Sequence, residues 1–138
     1  MYMQNSNVSV LFGSQNIKKV YEDNLRMESL DIVCLATQYE DVIGNYFEKS
    51  YAPKLYGRIH TREIVLDTDA NRKDAMTKDK SKNTVKFLKG KSETDMILSK
   101  DKAVLISFSH DSPLAIVITD SELVKGLKTQ FNALWESL

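Results

Sequence analysis

Residues 32–36 read Ile-Val-Cys-Leu-Ala, apolar at every position. A strand with water on one face alternates polar and apolar side chains, so this unbroken run suits a central strand covered on both faces. The coverings must come from the flanks, and both flanks offer helices. Residues 8–11 alternate as a short strand does. Gly13-Ser14 follows, and Ile17, Val20, Tyr21 and Leu25 then share one helical face, with Ser14 as the expected N-cap. Beyond the run, Thr37-Gln38-Tyr39-Glu40 spells a capping box. Tyr39, Val42, Ile43, Tyr46, Phe47 and Tyr51 continue at helical spacing until Pro53, which should end or kink the helix, and Gly57 releases the chain.

Residues 62–66 form another strand pattern, ending at Asp67. Residues 67–83 are the most polar stretch, expected to be a long mobile loop with a turn or two of helix. Strand patterns recur at 84–88, 95–98, 103–108 and 114–118, with Gly90 and Lys100-Asp101 at turns. The last helix opens on a second box, Thr119-Asp120-Ser121-Glu122. Leu123, Leu127, Phe131 and Leu134 then make a stripe flanked by Val124 and Trp135. Gly126 within it would cost about 1 kcal/mol relative to Ala, which suggests that something packs closely there. The order β-α-β-α-β followed by strands and a helix implies an α/β domain with a mixed sheet flanked by helices. The 138 residues suit one domain, with residues 1–7 as a flexible tail.

Nineteen basic and nineteen acidic residues cancel, so the chain as a whole does not invite nucleic acid. Residues 72–102 are locally basic, ten Lys/Arg against five Asp/Glu, which fits either a solvated surface or a phosphate-docking patch. The apolar runs fall far short of the ~20 residues that cross a bilayer. No secretory leader is visible, so the expected compartment is the cytoplasm. The single Cys34 lies in the apolar run and reads as a buried thiol.

Chemistry-bearing patterns are few. His60 and His110 lie fifty residues apart with no cysteine nearby; joined with Asp67, Asp69 or Asp111 they make a poor metal site, and neither metal nor cofactor is expected. The glycines form no phosphate loop, and G-x-S-x-G is absent. One pattern remains: His60-Thr61-Arg62-Glu63-Ile64-Val65-Leu66-Asp67 has the spacing H-x-R-x-x-x-x-D. It is similar to the H-x-K-x-x-x-x-D of phospholipase D enzymes, where His attacks phosphorus and Lys holds the phosphate oxygens. On a strand His60 and Arg62 would share a face. The enzymes follow the Asp with a turn, a second strand and a Gly-Ser segment, whereas a charged stretch follows Asp67 here.

The second half carries a broader likeness. Residues 100–108 resemble the turn and apolar strand after the phospholipase D motif, residues 113–119 the next strand, and residues 121–135, closing on Phe131-Asn132-Ala133-Leu134-Trp135, the last helix. In that register the motif His and Lys fall at Glu93 and Asp95, and carboxylates there would repel a phosphate. With Val10-Leu11-Phe12-Gly13, residues 17–23 and residues 61–67, the chain resembles the effector domain of TrmB-type transcription regulators, a phospholipase D-like half-domain that has lost catalysis. The resemblance implies a non-catalytic sensor and dimerisation domain that binds a sugar or another small metabolite. DNA contact would come only through a winged helix-turn-helix, for which this chain has no room. Because α/β crevices lie beyond the carboxyl ends of parallel strands, the candidate ligand contacts are Thr37, Gln38, Asp67, Ser107, Ser109 and His110. The rival readings are a homodimeric phosphodiesterase using His60, Arg62 and Asp67, and a purely structural dimerisation domain.

Overall fold

The structure is a computed structural model that describes residues 7–138. The expected tail therefore lies outside the described residues, except Asn7, whose carbonyl accepts from the Thr119 amide at 2.9 Å. Seven strands form one sheet: β1 (Val8–Phe12), β2 (Ser29–Cys34), β3 (His60–Leu66), β4 (Asn83–Leu88), β5 (Thr94–Leu98), β6 (Ala103–Ser107) and β7 (Leu114–Ile118). Their spatial order is β1-β7-β6-β5-β2-β3-β4. β2, β3 and β4 run parallel, and the other pairings are antiparallel. The mixed sheet and all four late strands agree with the sequence pattern.

The apolar run lies on β2, in the sheet interior between β5 and β3. One face of the sheet carries Leu30, Ile32, Ile97, Val104, Ile106 and Ala115 beneath α1 (Ser14–Asn24), which buries Ile17, Val20 and Tyr21. On the other face Ile64, Leu98, Ala103 and Ile118 pack with Val124 and Phe131 of the terminal helix, residues Ser121–Ser137.

Several local expectations are corrected. Gly13, not Ser14, caps α1; its φ of 88° is a left-handed value that glycine adopts without a Cβ clash. Thr37 caps nothing, because the helix starts only at Glu40 with Tyr39 at the N-cap position; the Thr37 hydroxyl donates to Glu93 instead. The predicted helix after it breaks into α2 (Glu40–Ile43), a π-helical turn over Phe47–Tyr51 and α3 (Ala52–Leu55). Pro53 falls in the first turn of α3, where its missing N–H has no partner to lose, so it opens a helix rather than closing one. The polar stretch 67–83 holds α4 (Asp69–Met76), capped by the Thr68 hydroxyl accepting from the Asn71 amide. The terminal helix, α5, starts one residue later than the box implied: Asp120 is the N-cap, accepting from the Leu123 amide at 3.0 Å. That shift leaves Leu123 half exposed and buries Val124 instead. Gly126 is exposed with nothing near its missing Cβ, so no close packing explains it.

Candidate functional site

β2, β3, β4 and β6 run the same way, so their carboxyl ends meet the starts of β5 and β7 at one end of the sheet. That end receives Thr37 and Gln38 after β2, Asp67 after β3, and Ser107, Ser109 and His110 at and after β6. Glu93, just before β5, ties two of these loops together. One carboxylate oxygen accepts from the backbone amides of Thr37 (3.0 Å) and Gln38 (2.7 Å), and the other from the Thr37 hydroxyl (3.1 Å). Its main-chain carbonyl accepts from the Phe108 amide at 2.8 Å. Burial works against the charge, but the Gln38 and Thr37 amides, the Thr37 hydroxyl and Lys91 together hold the carboxyl below its ordinary value. Glu93 is therefore an anion seated in an anion-binding loop.

The other predicted ligand residues are placed unequally around it. Ser107 lies opposite Thr94 in the ladder and its hydroxyl accepts from the Ser109 amide at 3.2 Å. His110 is almost fully exposed beside Asp111 at 3.8 Å, on the rim. Asp67 is at the same sheet end but turned to its own neighbour: Arg72 grips both carboxylate oxygens, at 2.7 and 3.1 Å, and holds its proton affinity down.

Beneath this end lies a buried acidic layer whose partners the sequence concealed. Asp95 pairs in register with Cys34 and accepts from the Tyr21 hydroxyl at 2.7 Å. Burial, with the Glu63 charge adding to it, pushes its carboxyl up to about 7 against that hydrogen bond. Glu63 is raised by burial too, against the hydroxyls of Tyr56 (3.0 Å) and Thr61 (3.4 Å). The Tyr21 and Tyr51 rings touch at 4.7 Å between centroids. The second Asp95 oxygen and the Tyr51 hydroxyl are buried with no protein partner. Burial also raises the Cys34 thiol, which makes it a poor nucleophile. The period-2 alternation of residues 61–65 does signal that Glu63 points inward, since it shares a face with Thr61 and Val65; which groups it meets is set by elements far away in sequence.

His60, Arg62 and Asp67 do not converge within one chain. His60 opens β3 and Asp67 follows its last residue, a separation of roughly 23 Å for seven extended steps. Arg62 is committed elsewhere: Nε and Nη2 each donate to Asp31 at 2.8 Å, and Nη2 donates to Asn132 at 2.9 Å. Its guanidinium lies over the Phe131 and Trp135 rings. A cavity of about 530 Å³ opens at the opposite end of the sheet from the Glu93 loop, among Arg26, Ser29, Asp31, Ser99, Lys100 and Lys128. No sequence pattern pointed to it. Among the described residues no cluster of three or more His, Cys, Asp or Glu could hold a metal ion, and no helix is long and apolar enough to cross a membrane.

The sequence matches no family model and no curated protein. Two solved structures are similar in fold. One is TrmBL2, described as an archaeal chromatin protein with a novel mode of DNA binding, at 16% identity and a TM-score of 0.61; the match spans 99% of this chain and 55% of that one. The other is NucT from Helicobacter pylori, at 13% identity and a TM-score of 0.66, over 94% of this chain and 96% of that one. This chain thus corresponds to about half the length of TrmBL2, and its fold is the phospholipase D-like α/β sheet that these two proteins share.

Proposed function

We propose that this chain is the non-catalytic effector and dimerisation domain of a TrmB-type transcription regulator, which binds a small metabolite and passes the signal to a separate helix-turn-helix. One observation carries the reading. At the start of the central strand β5, where the phospholipase D resemblance places His and Lys, stand Glu93 and Asp95, and both are occupied by internal hydrogen bonds. A carboxylate there repels a phosphodiester and supplies no positive charge for the phosphate oxygens.

The same anion sets the ligand class. With Glu93 seated on the Thr37 and Gln38 amides, a neutral polyol such as a sugar suits this sheet end better than a phosphorylated metabolite. Its hydroxyls would be met by the Thr37, Gln38, Ser107 and Ser109 side chains, with His110 at the rim and Asp67 to one side. Binding that favours one arrangement of the β2 and β6 loops would shift the pairing of two copies and so of the attached DNA-binding domains.

A thermal-shift panel of sugars and nucleotides tests this. The expected result is a saturable stabilisation by a neutral sugar, on the order of 2.7 kcal/mol at a hundredfold excess over Kd, reduced in Gln38→Ala. Absence of stabilisation across the panel removes the sensor role. Hydrolysis of a generic phosphodiester that disappears in His60→Ala replaces the reading with the phosphodiesterase.

A further inference from the structure

β4 is an edge strand, and its free side is unlike the rest of the surface. The Thr61 amide donates to the Lys82 carbonyl and the Asp67 amide to the Leu88 carbonyl. In a parallel ladder those bonds turn the peptide groups of the even-numbered residues toward β3 and those of Asn83, Val85 and Phe87 off the sheet. The outward Asn83 amide is taken by the Asp79 carbonyl at 2.8 Å. The outward N–H and C=O groups of Val85 and Phe87 have no partner among the described residues.

Beside this edge runs a groove of about 490 Å³, because α4 buries none of its residues against the sheet. It is lined by Ala75, Met76, Val85, Phe87 and Lys80, and by Arg72, whose guanidinium lies 4.3 Å from the Phe87 ring centroid. Met76 is 78% exposed. An apolar slot beside unpaired strand amides is the geometry that accepts an added strand.

Charge selects the occupant. Residues 72–91 hold eight Lys/Arg against two Asp. Both Asp are engaged, Asp74 with Lys78 and Asp79 with Ser81. Arg72, Lys82, Lys86 and Lys91 are engaged as well, which leaves Lys73, Lys80 and Lys89 for an incoming acid. We propose that β4 takes up an extended segment of a partner protein that alternates apolar and acidic side chains, as an eighth strand. Its apolar side chains enter the slot at the level of Val85 and Phe87. Its carboxylates lie toward Lys80 at one end of the strand and Lys89 at the other. A second copy of β4 is the wrong occupant, because pairing two such segments brings like charges together. Nucleic acid uses neither the strand amides nor the apolar walls. This surface lies at the sheet edge, apart from the Glu93 loop, and stands whether or not that loop binds a metabolite.

The test uses a labelled peptide of about ten residues alternating Glu with Val or Ile, long enough to span the strand, measured by fluorescence anisotropy and by amide shifts in the full chain. Saturable binding with shifts centred on residues 83–88 is expected, and a peptide of the same composition in scrambled order should not bind. Val85→Pro removes an outward N–H without breaking the β3 ladder, a place where edge strands accept proline. It should weaken binding roughly tenfold, and Lys80→Glu should weaken it as well, with Tm as the control for folding. The proposal is overturned by shifts confined to another surface or by binding that Val85→Pro leaves intact. It is equally overturned by an oligothymidylate that displaces the peptide, or by self-association that Val85→Pro abolishes.

Discussion

At the scale of single residues, two charged side chains show opposite uses of burial. Asp95 is held protonated well above its ordinary 3.8, with its carboxyl raised to about 7 by burial and then by Glu63. Between those values the native state binds the proton that the unfolded chain has already released, so stability falls as pH rises through that window. The loss is on the order of 4 kcal/mol for Asp95 alone. In Asp95→Asn the midpoint of thermal unfolding should therefore be flatter between pH 4 and about 7 than in the parent, with Glu63 accounting for the slope that remains. An unchanged slope would mean that the proton sits elsewhere. Arg62 is the other case, a cation kept charged at a partly exposed site by a two-pronged bond to Asp31 and by the rings of Phe131 and Trp135. Its side chain is 39% exposed, so the ion pair itself contributes little and stacking carries much of the effect. Arg62→Ala should lower stability by about 1–2 kcal/mol, and Arg62→Lys should recover only part, because an ammonium cannot reproduce the planar fork. Urea denaturation of the three proteins decides it.

At the scale of elements, among the described residues α5 is the only helix that packs into the core of its face, so that layer hangs on few contacts. Phe131→Ala should cost about 3–5 kcal/mol, whereas Asp120→Ala, which removes only the N-cap bond, should cost about 1 kcal/mol; chemical denaturation separates them. The elements also show what a sequence exposes. Strand positions were readable because an alternating or continuous apolar pattern is local, and β4 to β7 fall where that pattern put them. Helix starts were less readable, because a Thr or Ser three residues before an acid looks like a box whether or not its hydroxyl is free. Thr37 was spent on Glu93, fifty-six residues away, and no local pattern announces that. α4 escaped recognition as a full helix because it buries nothing, so no apolar stripe marks it. At the candidate site the positions after β2 and β6 followed from strand order alone, but the carboxylate at their centre did not.

At the scale of the whole molecule, one sheet separates two unlike layers. One face carries the tyrosines Tyr21, Tyr39, Tyr46, Tyr51 and Tyr56, and the other carries Trp135. Since β2, β5, β6 and β7 serve both layers, neither can melt alone. Unfolding followed by tryptophan emission, tyrosine absorbance and backbone circular dichroism should give coincident transitions, and a separate early loss of tryptophan signal would show α5 peeling off first. The Glu93 clasp bears on the whole molecule in another way, through the substitutions that the loops it joins can tolerate. Placing a phospholipase motif here needs Glu93→His and Asp95→Lys together, yet the first change unties the loop at Thr37 and Gln38 and the second puts an ammonium into a buried acidic layer. The double variant should unfold at a lower temperature and show no phosphodiesterase activity, a result that calorimetry and a hydrolysis assay would read. Residues that look exchangeable in the sequence anchor the scaffold, and a phospholipase chemistry at these two positions is barred by folding before it is barred by reactivity.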